Sequence, residues 1–267
     1  MSTFRLSIIG LGNMGSAALH GLLEANILRP QEIVVAEHDE ERRQHAADLG
    51  CAISQDAAQI ASADQIMLAV KPQGFAEVGA WIGKLLEPTV VISVMAGVPS
   101  QKISDMLGPL AKVVRVMPNT PCRIGRGMTA IALGHGAAQE DAALATEIFD
   151  ALGHSVQVDE AHIDAATALG GSGPAYVFLL AEAMVRAGIG MGLEEHVALQ
   201  ITDHTIAGAG QLLLESEPDA AALRAMVTSK GGTTAAAIDL MLEHKFDDIV
   251  LKAVEAAQKR GQELGRH

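Results

Sequence analysis

Aromatic residues are scarce: one Trp, one Tyr and five Phe among 267 residues. That is too few for a row of base-stacking rings, so a single-stranded nucleic acid platform is excluded. Basic charge is short as well, 19 Lys and Arg against 32 Asp and Glu, for a formal net charge of −13. Such a surface repels a phosphate backbone, and no nucleic acid partner is expected. The two cysteines, Cys51 and Cys122, lie far apart and form no C-x-x-C motif. They read as small buried hydrophobes of a reducing compartment. Ten histidines occur without H-x-x-x-H or H-E-x-x-H spacing, so no metal site is expected. Long apolar runs are also lacking: only the four-residue run Leu6–Ile9 precedes Gly10, and Glu182 interrupts the stretch 175–185. The expectation is a soluble cytoplasmic protein with no membrane partner.

What the chain has is aliphatic bulk. The apolar share is 49%, carried by Ala, Leu, Ile, Val and eleven Met, which excludes a disordered chain and allows a sizeable core. The length suits two modest domains. Up to about residue 160, short β-type runs (6–9, 33–36, 65–70, 90–94, 113–117, 129–133 and 155–158) alternate with helical patterns (13–25, 40–49, 75–86, 100–107 and 139–152). That alternation predicts an α/β, doubly wound, Rossmann-type parallel sheet over residues 1–160. Beyond residue 160 the β-branched runs vanish, and helical patterns follow one another near 163–169, 175–187, 194–215, 219–227, 235–243 and 246–262. Residues 161–267 are therefore expected to form an all-α domain. Its broad apolar faces either pack on one another or are covered by a partner subunit.

The first strand runs into Gly10-Leu11-Gly12-Asn13-Met14-Gly15, a G-x-G-x-x-G motif with strand before and helix after. In that context the first Gly makes the tight turn, the second admits a pyrophosphate, and the third lets helix and sheet pack closely. The helix N-terminus offers its free N–H groups to the anion. Glu37 stands 22 residues after Gly15 at the end of the second strand, where an acid accepts from ribose hydroxyls and repels a 2′-phosphate, a lean toward NAD. Arg42 and Arg43 a turn later leave NADPH open. Ala69-Val70-Lys71-Pro72 ends a strand at the ligand edge of such a sheet and is expected to face the cofactor. Met117-Pro118-Asn119-Thr120-Pro121 reads two ways: Asn119 contacts cofactor, or the segment simply ends a strand.

In the helical half, Gly170-Gly171-Ser172-Gly173-Pro174-Ala175-Tyr176 opens a helix, with Ser172 a possible cap. Thr228-Ser229-Lys230-Gly231-Gly232-Thr233-Thr234 joins two helices and makes a nest suited to a carboxylate, unless Thr233 or Thr234 is only a helix cap. No Lys occurs between Tyr176 and Lys230, so the general acid that an alcohol dehydrogenation needs is missing. Imine reduction asks less, because carbon takes the hydride and a basic nitrogen takes the proton.

With G-L-G-N-M-G at Gly10, A-V-K-P at Ala69, M-P-N-T-P at Met117, G-S-G-P-A-Y at Gly171 and V-T-S-K-G-G-T-T at Val227, the chain resembles the pyrroline-5-carboxylate reductases over nearly its whole length. The resemblance implies reduction of L-1-pyrroline-5-carboxylate to L-proline by NADPH or NADH. It implies a cofactor site on Gly10 to Gly15, Glu37, Asp56, Ala69 to Pro72 and Asn119. It further implies a substrate site on Ser229, Gly231, Gly232, Thr233 and Thr234, with the Thr234 hydroxyl on the ring nitrogen as the catalytic group. A homodimer or a ring of dimers, interlocked through the helical domains, is also implied. Two features depart from the family pattern: Lys230 replaces the more usual proline before the two glycines, and Glu37 and Asp56 stand where small hydroxyl or amide residues are common near the ribose. The competing readings are another imine or β-hydroxy-acid oxidoreductase and a non-catalytic nicotinamide-binding regulator.

Overall fold

The computed structural model describes residues 4–265. Eight strands form one sheet: β1 Leu6–Ile9, β2 Ile33–Ala36, β3 Ala52–Ile53, β4 Gln65–Leu68, β5 Thr89–Ser93, β6 Ala111–Met117, β7 Gly127–Leu133 and β8 Gly153–Gln157. Their order is β3-β2-β1-β4-β5-β6-β7-β8, so the chain reverses its winding between β1 and β4. The two-residue β3 carries no readable period, and the sequence pattern misses it. Strands β1, β2 and β5 are buried at every position, which is why they read as short runs rich in Ile and Val.

Alternate strand residues feed two cores. Leu6, Ile8 and Val35 join Leu19, Leu22 and Phe149 on one face. Val34, Ile66 and Val91 join Phe75, Ile103 and Leu107 on the other. The covering helices are α1 Asn13–Glu24, α2 Glu40–Asp48, α3 Ala57–Ala61, α4 Phe75–Ile82, α5 Ser100–Leu107 and α6 Ala143–Ala151. Helix α4 stops short of the expected residue 86 because Gly83 turns at φ +74°.

The expected parallel sheet has one antiparallel pairing near its edge: β7 runs antiparallel to β6, and β8 pairs parallel with β7. The link from Met117 to Gly127 holds only a short 3-10 turn, Thr120–Ile124. A parallel return needs a crossover of about a dozen or more residues, and this link is too short for one.

Helix α7, Ile163–Ala166, runs into a π-helical turn, Thr167–Gly171, closed by the Ser172 N–H on the Thr167 carbonyl at 2.9 Å. Ser172 keeps right-handed helical angles, φ −85° and ψ −20°, so it does not cap a helix as expected. Just before this segment, Glu160 accepts from the Ser100 N–H at 2.8 Å, the Ser100 hydroxyl at 2.5 Å and the Arg115 guanidinium at 3.2 Å. Arg115 is buried. Glu160→Ala would strand that charge, and an urea melt is expected to show a loss near the lower end of roughly 3–5 kcal/mol.

The chain divides into two compact units, 1–172 with 255–267, and 173–254. The first takes in twelve residues beyond the expected boundary at 160, because α7 and the π turn pack on β7. The second holds α8 Gly173–Gly190, α9 Glu195–Glu215, α10 Ala220–Met226, α11 Thr233–Glu243 and the start of α12, Phe246–Gly265. Here α8 and α9 approach closely, and a Cβ on Gly188 would lie 3.1 Å from the Ala198 Cβ. Few residues of this unit are buried, among them Gly188, Ala198 and Thr202, while Phe178, Leu179, Ile201, Leu212, Leu214 and Met226 are exposed. The apolar faces are therefore not consumed within the chain. By length and composition alone the 31-residue stretch Glu160–Gly190 holds a window apolar enough to cross a membrane.

Candidate active site

The glycine-rich turn joins β1 to α1 at the carboxyl edge of the sheet, beside the reversal between β1 and β4, where open α/β sheets bind ligands. Gly10 turns at φ +93°, and a Cβ there would lie 2.9 Å from the Ala69 carbonyl oxygen. A Cβ on Gly15 would come within 2.1 Å of the Gly10 carbonyl oxygen. Gly12 differs: a Cβ would meet no protein atom within 4 Å, and Gly12 caps α1 without a side-chain bond. The turn thus leaves an open cradle at a bare helix N-terminus, which fits a pyrophosphate. Met14 packs against the core, so its side chain serves the fold.

Alongside lies a cleft of about 640 Å³ lined by Gly10, Gly12, Glu37, Ala69, Val70 and Lys71, all residues that the sequence placed at the cofactor. It is lined too by Arg42, the guanidinium that left NADPH open, and by His38, Gln55, Val78 and Trp81, which the sequence did not single out. Trp81 and Val78 sit on α4 with no motif around them, so only packing reveals them. Gln55 donates to the Glu37 carbonyl at 2.8 Å. Its neighbour Asp56, expected near the ribose, instead caps α3 by accepting from the Ala58 N–H at 2.9 Å. Asp56 does not line the cleft.

Glu37 is held from several sides. Its Oε2 accepts from the Leu11 N–H at 2.5 Å, and its Oε1 from the N–H groups of His38 at 2.6 Å and Asp39 at 3.0 Å. Burial works against ionisation, but the N–H groups of Asp39, Leu11 and His38 and the charge of Arg42 outweigh it and hold this carboxyl below its ordinary 4.5. With the folded value depressed, the contribution to stability is present above the ordinary carboxyl value and is lost as pH falls through the folded one. Thermal melts taken from neutral pH down through the carboxyl range are expected to show the gap between the native chain and Glu37→Gln shrinking on acidification.

Asn119 is 8% exposed, and both ends of its amide are engaged. It donates to the Gly170 carbonyl at 3.0 Å and accepts from the Met128 N–H at 3.0 Å. The fold thereby gives Asn119 a bracing role that the sequence reading did not assign, holding the π turn to the start of β7. Cys51 and Cys122 are buried and unpaired, and burial pushes the Cys51 thiol up to about 11. Among the described residues, no three His, Cys, Asp or Glu side chains gather as a metal site requires.

The second unit carries the nest. Gly231 turns at φ +72°, Gly232 caps α11 with no side-chain bond, and the Gly232 N–H donates to the Ser229 carbonyl at 3.0 Å. A Cβ on Gly232 would lie 2.5 Å from the Ser229 hydroxyl. Neither Thr233 nor Thr234 is the cap, because both already lie in the first turn of α11. That turn keeps its leading N–H groups free for an anion, with the two threonine hydroxyls beside them. Lys230, one residue before, is exposed.

Residues 160–264 match a family model described as pyrroline-5-carboxylate reductase dimerisation. Residues 5–97 match one described as NADP oxidoreductase, coenzyme F420-dependent. A pyrroline-5-carboxylate reductase of Synechocystis is 37% identical over 266 residues, covering 99% of each chain. One from Pseudomonas aeruginosa is 36% identical, covering 99% of this chain and 98% of its own. Among solved structures, a Coxiella burnetii pyrroline-5-carboxylate reductase superposes with a TM-score of 0.88 at 34% identity, covering 98% of both chains. A Plasmodium falciparum pyrroline carboxylate reductase with NADP bound superposes with a TM-score of 0.86 at 30% identity, covering 99% of both. With likeness running through both the glycine turn and the nest, the chain belongs to the pyrroline-5-carboxylate reductase family.

Proposed function

We infer that this chain reduces L-1-pyrroline-5-carboxylate to L-proline with NADPH or NADH. The observation that carries the reading is full-length likeness to reductases of that name, spanning the dinucleotide cradle and the bare first turn of α11 alike. The nicotinamide, when bound, supplies the hydride for the ring C=N carbon. The chain's own residues do the rest. The bare N–H groups of α1 and the cleft lined by Glu37, Val70 and Lys71 hold the dinucleotide. The backbone from Gly231 to Thr234 takes the substrate carboxylate, with Ser229 shaping the turn. The Thr234 hydroxyl hydrogen-bonds the ring nitrogen and relays its proton. Catalysis is then chiefly placement, and orientation of two reactants is worth about 7–11 kcal/mol in favourable systems.

The apolar helices of the second unit fall within the matched dimerisation region. A second copy of the chain is accordingly the cover we assign to them, as a homodimer or a ring of dimers, in place of lipid. Two free thiols kept in the core support a cytoplasmic placement.

The assay is oxidation of NADPH and, separately, of NADH by the purified protein with pyrroline-5-carboxylate, with proline identified as product. Cofactor binding without turnover of this substrate would move the reading to another cyclic imine or to a non-catalytic regulator.

A further inference from the structure

We propose that His20 on α1 and His45 on α2 form a binding site for a zinc-class divalent metal ion, which clips the two helices together. The proposal stands apart from the reductase reading, because none of its donors lines the cofactor cleft.

The two imidazoles already face each other. Their Nε2 atoms are 3.1 Å apart, and the ring centroids lie 5.1 Å apart with the planes tilted by 45°. Two nitrogens bound to one tetrahedral zinc ion, at roughly 2.0–2.1 Å each, stand about 3.3–3.4 Å from one another. A slight opening of the pair therefore admits the ion in place of the single proton that the two rings otherwise share. The histidines come from different helices, 25 residues apart, which is why their spacing in the sequence points to no metal.

A third donor has to swing in, since no three such side chains already gather among the described residues. Both rings line a pocket of about 330 Å³ together with Asp39, Glu41 and Arg42. Glu41 is exposed and stands four residues before His45, a spacing that puts two side chains on one helix face. The other acids of this segment are engaged: Asp39 with the Arg42 N–H at 3.0 Å, Glu40 with Arg43, and Asp48 with the Gln44 amide at 2.7 Å. Glu41 is accordingly the third donor, and water takes the fourth position.

Charge favours a cation here. Asp39 and Glu41 stand against Arg42 alone, and Arg42 also lines the cofactor cleft, toward which it can turn aside. A second pocket that His20 lines adds Glu24 and Arg123, one charge of each sign. Two imidazoles in the donor set select zinc over magnesium or calcium, which take oxygen ligands.

The effect of the ion follows from how the two helices are held. Helix α1 buries six residues, whereas α2 buries only Ala46. An ion shared with α1 gives α2 a second anchor, and binding to the folded chain alone stabilises it.

The test is calorimetry of zinc chloride and, separately, of magnesium chloride with the full chain carrying no histidine tag. The cobalt(II) absorption spectrum and amide hydrogen exchange are read alongside. One zinc ion per chain, no magnesium uptake, a tetrahedral cobalt band and slower exchange in α2 with zinc are expected. His20→Ala and His45→Ala replace side chains that are not buried, so both should melt near the native temperature without metal. Each is expected to weaken zinc at least about tenfold, the low end of what losing even an outer partner of a ligand costs. Glu41→Gln is expected to weaken it by a smaller factor. No zinc uptake would overturn the site and leave the rings sharing only a proton. Native zinc affinity in both histidine variants would overturn it as well, by placing the ion elsewhere. Native affinity in Glu41→Gln alone would overturn the third donor, and unchanged exchange in α2 on zinc binding would overturn the clip.

Discussion

Thr234→Ala is expected to lower kcat about a hundredfold, within the range a positioned proton donor contributes, while the melting temperature and the affinity for NADH stay near native. The hydroxyl sits in the first turn of α11, where it does not cap the helix, so removing it costs the fold little. Loss of turnover with intact cofactor binding would therefore report chemistry at the ring nitrogen. Thr234→Ser should recover much of the rate, since it keeps the hydroxyl and loses only a methyl. Comparing kcat with kcat/KM in the two variants separates proton delivery from substrate binding. Native turnover in Thr234→Ala would remove this residue from the mechanism and leave solvent as the proton source.

The second large effect is a contrast within the glycine turn. Gly15→Ala would put a Cβ 2.1 Å from the Gly10 carbonyl oxygen and 3.1 Å from the Ala69 Cβ. Helix α1 would have to lift from the sheet, at a cost of about 1–3 kcal/mol, and NADH binding should fall with it. Gly12→Ala meets no protein atom within 4 Å, and its backbone angles, φ −64° and ψ −172°, suit any residue. That variant is expected to melt near the native temperature, yet to bind NADH at least tenfold more weakly, because the new methyl occupies the phosphate approach. Calorimetry and thermal melts on the pair decide it. A Gly12→Ala chain with native affinity would place the pyrophosphate elsewhere.

The strands were legible because burial on both faces favours runs rich in Ile and Val, and the glycine turn because its spacing is tied to a strand before and a helix after. The partner-facing character of the helical half was legible only as a choice between two packings. Nothing local told Asp56 from a ribose contact: an acid ahead of a short helix caps it, and whether it also reaches a ligand depends on which way the next strand runs. Asn119 likewise reads as a ligand contact until Gly170, far along the chain, comes up to take its amide. Trp81 lay in an ordinary amphipathic helix, and only the packing of α4 against α3 and α5 brought it to the cleft.

By itself, then, the sequence determined the fold class, the glycine-rich turn ahead of α1, the two glycines ahead of α11 and the family. These rest on local patterns: hydrophobic period, glycine at obligatory turns, and threonines after two glycines. The tertiary structure decided the reversal at β7, the π turn braced by Asn119, the company that Trp81, Gln55 and Arg42 keep with Glu37, and the three N–H groups that fix that carboxylate. Each of these depends on atoms brought together from distant parts of the chain, and the short-range spacing of residues carries no record of which distant partner will arrive.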